Sequence, residues 1–268
     1  MPRFLRGGLL PELICLLLAA FGVGTLIGAV GIGGILLIPA LTAFAGLGIH
    51  EAMATALFTF AFTGITGTAM FQRRGSIDWR VTVPVCAGAI PFAFLGAWLN
   101  SLTRPTVLAL LLAAVIIFAG VYTLATWRGM RDPAFHREHG LQRLLLTAIG
   151  GVSGLGSGWT GVGGPALSVP LMVLFGFPAL MSIGTSQVIQ IIAAVSGTLG
   201  NLSFGAIDFT IAAVVTALEI AGVYVGARIA HIVSPGPLKR FVAWLCIVVG
   251  IFLIVRAPGW PDAGDCAA

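Results

Sequence analysis

The sequence predicts an all-α polytopic membrane protein that contains two homologous repeats of four or five transmembrane segments. Of its 268 residues, 58% are hydrophobic and 9% are charged, whereas a soluble domain carries about 25% charged residues. Several apolar runs reach the length of about 20 residues that a helix needs to cross a membrane. A set of residues also recurs at one fixed spacing along the chain. Because so few charged residues could not cover a water-facing surface, the apolar residues are expected to face lipid.

The apolar runs differ in whether glycines interrupt them. Two long stretches, 9–47 and 144–178, are interrupted near their middles. Since each glycine in a helix costs up to about 1 kcal/mol relative to alanine, we expect each stretch to form two shorter segments joined by an irregular or re-entrant glycine-rich turn. The uninterrupted runs, predicted as single spans, lie at 51–71, 81–100, 106–126, 183–202, 209–228 and 238–255.

Residues of the first half recur 130 positions later in the second half. One or two such matches could arise by chance, but an ordered series at one spacing predicts a duplicated unit. The matched residues include Gly31 with Gly161, Gly33 with Gly163, Gly34 with Gly164, Thr55 with Thr185, Gly67 with Gly197 and the loop 75–79 with 205–209. The predicted division is residues 1–126 for the first repeat, 127–143 for a basic cytoplasmic linker, 144–256 for the second repeat and 257–268 for a short tail.

The relative orientation of the repeats should follow from the positive charges of the loops. Parallel repeats of four spans and inverted repeats of five spans place equal numbers of the 14 Lys and Arg residues on the cytoplasmic side. Two features favour inversion. The loop 72–80 carries three arginines while its counterpart 201–209 carries no Lys or Arg. The stretch 9–47 would also be about 58 Å long as a helix, which exceeds the about 30 Å of one crossing.

The interrupted segments are candidates for a transport site. Irregular backbone at membrane depth is tolerated only within protein or beside a cavity, and a pair of interrupted segments in two repeats indicates a binding site. The turn amides and the following helix N-termini favour an anion. The alternative is that glycines only permit close helix packing, which is favoured for Gly28, Gly64 and Gly158. The predicted substrate-binding residues are Gly31, Gly33, Gly34, Thr55, Thr160, Gly161, Gly163, Gly164, Thr185, Ser186 and Gln187.

Glu219 lies near the middle of the predicted span 209–228. A carboxylate inside a membrane is costly and usually functional, so Glu219 is predicted to couple transport to a proton, with a structural hydrogen-bonded glutamate as the alternative. Gln187 and Gln190 lie one turn apart and are expected to face the bundle interior. The cysteines and histidines show no metal-ligand spacing, and no catalytic residue, metal or cofactor is predicted.

The paired motif Gly-x-Gly-Gly, followed by an apolar run and a proline at 31–39 and 161–170, resembles the TauE/SafE family of sulfite-exporter-like permeases. The loops 75–78 and 205–208 are also similar to that family, and the resemblance covers about 10–255. Ile35 and Pro165 replace a third glycine that is frequent in the family motif. The resemblance implies a secondary transporter for a small sulfur-containing or organic anion, such as sulfite, sulfoacetate or another sulfonate, in the bacterial inner membrane.

Other classes stay open on the sequence alone. An anion channel would share the same architecture. An intramembrane serine hydrolase is suggested by the run 154–158, although Leu155 stands where that motif requires glycine. The expected partners are the lipid bilayer and a small anion. A homodimer is kept as an alternative to a monomer, and nucleic acid is not expected because the arginines cluster between apolar runs.

Overall fold

The computed structural model describes residues 10–31, 33–125, 139–204 and 207–232, and several helical residues between 244 and 255. The predicted linker, the tail and most of the predicted span 238–255 lie outside the described residues. The described part of the chain is helical with connecting turns and contains no strand. Its helices are α1 (Leu10–Val30), α2 (Leu37–Phe44), α3 (Ile49–Arg73), α4 (Trp79–Leu102), α5 (Pro105–Ala125), α6 (His139–Thr160), α7 (Pro165–Leu174), α8 (Ala179–Phe204) and α9 (Phe209–Ile232).

The described helices have the character of membrane spans, as predicted. Within them, α3, α4, α8, α9 and the Leu13–Val30 part of α1 are long and apolar enough to cross a bilayer. Large apolar side chains such as Phe94 on α4 are exposed, while Gln187 and Glu219 are fully buried. A protein that is apolar outside and polar inside is adapted to lipid. The chain is therefore a multi-pass membrane protein.

Both long stretches are interrupted at the predicted glycines. The helix α1 ends before Gly31, which has φ +80°, and α6 ends before Gly161, which has φ +69°. Gly163 also has a positive φ, of +83°. Residues with a side chain rarely adopt this left-handed conformation, so a right-handed helix ends there. The chain continues as a 3₁₀ segment, Gly33–Leu36, leading into α2, and as α7 in the second stretch.

Glycines bring the backbones of two helix pairs into direct contact. On α1, a Cβ added at Gly28 would overlap the carbonyl oxygen of Val223 on α9. On α6, a Cβ added at Gly158 would overlap the carbonyl oxygen of Ala93 on α4. Close packing is thus the role of these two glycines, as the sequence favoured. The helices of each pair run in the same direction, because Gly24 faces Glu219 one turn before Gly28 faces Val223.

The central helices α3 and α8 cross with opposite chain directions. Gly64 of α3 faces Ile191 of α8, whereas Gly197 near the end of α8 faces Leu57 near the start of α3. The helix α3 also packs against α9, and α8 packs against α4. The spacing of 130 residues found in the sequence also relates helix bounds, since α4 (Trp79–Leu102) and α9 (Phe209–Ile232) differ by 130 at both ends.

Candidate transport site

The two glycine turns meet at the centre of the bundle. A Cβ added at Gly34 would lie 3.1 Å from the carbonyl oxygen of Val162 and 2.9 Å from Cζ of Phe60. A Cβ added at Gly163 would lie 3.2 Å from Cδ2 of the same ring. Phe60 is fully buried near the middle of α3. The turns therefore touch at the level of the middle of the central helices.

Two short helices begin at this meeting point and run apart. The segment Gly33–Leu36 continues into α2 and ends near the start of α3, while α7 begins at Pro165 and ends near the start of α8. Because α3 and α8 run in opposite directions, α2 and α7 do so as well. No side chain caps the N-terminus of α2 or of α7. Each N-terminus carries about half a positive charge from aligned peptide dipoles, so two such ends lie near one buried point.

One group of predicted site residues lies beside the end of α1. A Cβ added at Gly31 would lie 3.4 Å from the Ser186 hydroxyl. The Gln187 amide donates to the carbonyl oxygen of Ile27 at 3.1 Å. Its Oε1 has no hydrogen-bond partner among the described residues and points into the space left by Gly67. The free group of Gln187 is thus an acceptor together with one remaining N–H.

A second group of predicted residues lies toward the other end of the bundle. The Thr160 hydroxyl donates to the carbonyl oxygen of Gly156 at 2.6 Å. A Cβ added at Gly161 would lie 2.7 Å from Cβ of Met53, close to the start of α3. Thr55 accepts from the backbone N–H of Asp208 at 3.4 Å. The predicted residues therefore occupy three levels rather than one cluster, with Gly34, Gly163 and Gly164 at the middle.

The backbone supplies most of the free donors at the middle level. Ser186 donates its hydroxyl hydrogen to the carbonyl oxygen of Ile183 at 2.7 Å, and Ser168 donates to Gly164 at 2.8 Å. Thr185 shares a hydrogen bond of 2.9 Å with Thr82. These hydroxyls are therefore already engaged within the protein. An anion at the meeting point would depend chiefly on turn and helix N-terminal amides.

Glu219 lies in a fully buried position on α9. Neither carboxylate oxygen has a hydrogen-bond partner among the described residues, and the Thr59 hydroxyl on α3 lies beside the carboxylate. Within the described helices, Glu219 is the one acidic or basic side chain near the middle of a helix. An ionised carboxylate here would lack the countercharge that a buried charge requires.

Several buried polar residues near these groups were not singled out by the sequence analysis. Thr59 and Thr63 are fully buried on α3, and Thr216 is 9% exposed on α9. Gln190, buried as predicted, donates to Thr63 at 2.8 Å. The signal for the α3 residues was available, since Thr55, Thr59 and Thr63 recur at every fourth residue. A threonine in an apolar helix gives little signal by itself because its hydroxyl can bond to its own backbone.

An open cavity of about 720 Å³ lies at the end of the bundle formed by the α3–α4 and α7–α8 loops. Ser76, Asp78 and Arg80 contribute polar groups to its wall. Ile77 packs against Gly184 and Phe71 beneath it. The cavity is thus separated from Gln187 by apolar packing.

Paired interrupted helices that meet inside a multi-pass bundle define a membrane transporter. The chain belongs to the sulfite exporter TauE/SafE family, whose model matches residues 16–253. It is similar to probable membrane transporter proteins of Bacillus subtilis, YdhB at 27% identity (89% of this chain, 99% of the relative) and YjnA at 26% (90% and 99%). A probable membrane transporter protein of Methanocaldococcus jannaschii is 22% identical (92% and 96%). No solved structure matches the chain.

Family membership places the chain among transporters and not among enzymes. The arrangement of the described residues agrees with this, because the serine in the hydrolase-like run has no histidine beside it. The Ser157 hydroxyl has no partner among the described residues. His50 bonds to Asn100 at 3.3 Å, and His231 bonds to Ser76 at 3.1 Å.

Proposed function

We propose that the chain is a proton-coupled secondary carrier that moves a small sulfur-containing or organic anion, such as sulfite, sulfoacetate or another sulfonate, across the inner membrane of a bacterium. The class of carrier follows from the TauE/SafE family. The observation that carries the proposal is the contact between the two glycine turns, Gly34 against Val162, at the point where α2 and α7 begin.

Binding of an anion at the turns is supported by their electrostatics. The described span interiors contain no lysine or arginine, so positive potential must come from backbone N–H groups and helix N-termini. A sulfonate or sulfite group has several acceptor oxygens that such amides can bind together. The proposed binding residues are Gly31, Gly33, Gly34, Thr55, Thr160, Gly161, Gly163, Gly164, Thr185, Ser186 and Gln187.

Inverted repeats are supported by the directions of the central helices. The starts of α3 and α8, Ile49 and Ala179, are 130 residues apart, and the two helices cross antiparallel. Equivalent helices run antiparallel when repeats are related by an axis in the membrane plane, and parallel when the axis is the membrane normal. The first arrangement therefore accounts for the crossing.

The arginines support an orientation in the membrane. The end of α9 joins the α3–α4 loop through the hydrogen bond between His231 and Ser76, and α6 starts beside the start of α4. Of the described arginines, only Arg104 lies at the opposite end. Those at the α3–α4 loop end are Arg73, Arg74, Arg80, Arg143 and Arg228. By the positive-inside rule that end is cytoplasmic.

The packing also supports a mechanism of alternating access. The pairs α1–α9 and α4–α6 touch through their backbones and would move as rigid units. The α3–α8 crossing is held by side chains such as Gln187 and Leu57, which can change rotamer. Movement of one unit against the other would expose the turns first to one side and then to the other.

Coupling to a proton is assigned to Glu219. Its carboxylate has neither a countercharge nor a hydrogen-bond partner among the described residues, so binding of a proton would remove the cost of a buried charge. Release of that proton to water would then accompany the rearrangement of the bundle. Assembly as a homodimer stays a prediction, to be measured as the mass of the purified protein in detergent.

The test is flux into proteoliposomes that contain the purified protein, with sulfite, sulfoacetate, an aryl sulfonate, sulfate and chloride supplied in turn. We expect saturable flux of one sulfur anion that a pH gradient accelerates, and loss of this acceleration in Glu219→Gln. Currents that do not saturate would identify an anion channel instead. Absence of flux for every anion, in protein shown to be folded, would remove the proposed substrate class. An unchanged pH dependence in Glu219→Gln would remove the coupling role.

A further inference from the structure

Because Glu219 is fully buried, a coupling proton must reach it through the protein. The helices α3 and α9 pack side by side, and Thr59 lies beside the Glu219 carboxylate. Thr55, Thr59 and Thr63 are each 0% exposed. Since residues four apart lie on one face of a helix, these hydroxyls form a row along α3. Thr216 lies three residues before Glu219 on α9.

We propose that this row and Thr216 carry the coupling proton to Glu219 from the end of the bundle at which Asp208 lies. That end is opposite the arginine-bearing α3–α4 loop, and it is the periplasmic end in the orientation given above. The path rests on the proposed function, since it names the route of the proton that the carrier uses. "Threonine row" below denotes Thr55, Thr59, Thr63 and Thr216.

The hydrogen bonds of the row leave capacity for a relay. Thr59 donates to the carbonyl oxygen of Ala56 at 2.9 Å, which leaves its oxygen lone pairs free. The Thr216 hydroxyl and both oxygens of Glu219 have no partner among the described residues. A hydroxyl both donates and accepts, so it can pass a proton along a chain of hydrogen bonds. Thr63 ends the row, because it accepts from the amide of Gln190, which has no proton to relay.

The row reaches the surface at the start of α9. Asp208 is partly exposed there, and its backbone N–H donates to Thr55 at 3.4 Å. Its carboxylate accepts from the backbone N–H groups of Thr210 and Ile211 at 2.9 and 3.0 Å. A carboxylate at the mouth of a path provides a group that collects protons from water.

No other charged group faces Glu219 from the neighbouring helices in the described part of the chain. On α3 there is no acidic or basic residue between Glu51 and Arg73, and on α1 there is none from residue 13 to residue 30. On α9 itself Glu219 is the only one between Asp208 and Arg228. Protonation of Glu219 would therefore depend on access to water rather than on a nearby charge.

The opposite direction along α9 is closed by apolar packing. Val223 and Ala227 follow Glu219 at successive turns, and both are 0% exposed. Ala227 belongs to a buried cluster with Phe71 and Ile183 that also contains Ile77 of the α3–α4 loop. A proton at Glu219 thus has a polar route to the Asp208 end and an apolar barrier toward the other end.

The residues 130 positions away form a contrasting interface between α8 and α4. Ile189 corresponds to Thr59, Ala193 to Thr63, Cys86 to Thr216 and Ala89 to Glu219. Ile189 and Ala89 belong to one buried apolar cluster. The α8–α4 interface therefore lacks both the carboxylate and the row of hydroxyls. The polar path is a property of the α3–α9 interface and not a general feature of both halves.

The transfer consumes one proton from water at the Asp208 end and forms one O–H bond on Glu219. Each hydroxyl in between accepts one proton and passes one on, so no other bond changes. Threonines four residues apart are separated by a rise of about 6 Å, which exceeds a hydrogen bond of about 2.8 Å. A water molecule between successive hydroxyls completes the chain.

The first experiment compares Thr59→Val and Thr216→Val with Thr68→Val. Thr68 is a matched control, because its hydroxyl is also buried without a partner and it lies on α3 outside the row. Each variant is measured for exchange of anion against anion, which moves no net proton, and for net flux driven by a pH gradient. We expect net flux to fall about tenfold in both row variants, a barrier increase of about 1.4 kcal/mol. Exchange and the Thr68→Val variant should stay at wild-type rates.

The outcomes separate the path from the carrier itself. Wild-type protein that shows no proton-driven flux would contradict the proposed function before the variants are considered. Proton-driven flux in the wild type together with unchanged flux in both row variants would overturn the path. A parallel fall of exchange and net flux would also overturn it, because the threonines would then be structural.

The second experiment tests which end the proton enters. Asp208 and Asp78 cap corresponding helices, since Asp78 accepts from the backbone N–H of Arg80 at 2.9 Å at the start of α4. Asparagine preserves such a cap and removes the charge. We expect Asp208→Asn to slow proton-driven flux and Asp78→Asn to leave it unchanged. Equal effects of the two variants would refute entry at the Asp208 end.

Discussion

Glycines serve different purposes at the outer helix pairs and at the central crossing. In the pairs α1–α9 and α4–α6, a Cβ added at Gly28 or Gly150 would overlap a backbone carbonyl of the neighbouring helix. At the crossing of α3 and α8, the space beside a glycine is filled by a side chain. Gln187 occupies the space at Gly67, and Leu57 occupies the space at Gly197. The outer pairs are therefore fixed backbone to backbone, while the crossing depends on side chains that can rearrange.

The two contacts at the crossing differ in polarity. Gln187 is polar, and its amide also holds the carbonyl oxygen of Ile27, whereas Leu57 is apolar and fully buried. The backbone positions are 130 residues apart in both members of the pair, so the difference lies in the side chains alone. This asymmetry teaches that a duplicated backbone can hold a polar contact on one side and an apolar seal on the other.

The largest effect is expected from filling a backbone contact. Gly28→Leu would push α1 away from α9, because the added Cβ overlaps Val223. Overpacking of this kind costs about 3 kcal/mol or more, so we expect loss of folded protein. Gly22→Leu on the same helix is the control, since nothing lies within 4 Å of its added Cβ. Size-exclusion profiles and thermal unfolding in detergent check this, and equal behaviour of the two variants would contradict backbone-fixed pairs.

A smaller effect is expected at the turn contact, and it should appear in transport rather than in folding. Gly163→Ala and Gly46→Ala both place a Cβ at a positive φ, +83° and +66°, at a cost of about 1–3 kcal/mol each. Only Gly163 lies at the meeting of the turns, 3.2 Å from the Phe60 ring, whereas nothing lies within 4 Å at Gly46. We expect anion exchange to fall more than about tenfold in Gly163→Ala. Exchange rates per folded protein that match in both variants would argue against a site at the second turn.

The smallest effect should separate the polar contact from the apolar one. Gly67→Ala would displace the Gln187 side chain from its bond to Ile27, a loss of about 1 kcal/mol or about fivefold in exchange rate. Gly197→Ala would instead move Leu57, whose Cδ1 lies 2.7 Å from the added Cβ. We expect this second change to reduce exchange by less than half as much. Initial rates of anion exchange measure both, and a larger loss in Gly197→Ala would reverse the assignment of the polar contact.

Local features of the chain predicted much of the fold. The predicted span 51–71 corresponds to α3 at Ile49–Arg73, and 81–100 corresponds to α4 at Trp79–Leu102. The interruptions at Gly31 and Gly161 were also predicted correctly. These features depend on residues that are close in sequence, because hydropathy and the conformational range of glycine act within a single segment.

The candidate site was predicted only in part. Gln187, Gln190 and Glu219 are buried, as the cost of polar groups in lipid requires. The levels of the residues were not predictable, because Thr55 and Ser186 are equivalent in type yet lie toward opposite ends of the bundle. Thr59 and Thr216 were missed because an isolated threonine is compatible with any buried helix.

The sequence by itself determined that the chain is a multi-pass membrane protein, where its helices break and which positions recur. The tertiary structure decided which surfaces meet: Gly34 with Val162, Gly67 with Gln187 and Glu219 with Thr59. The reason is that helix formation and the response of glycine are local. The contact between two distant helices depends instead on the direction and depth at which they cross, and these follow from packing of the whole bundle.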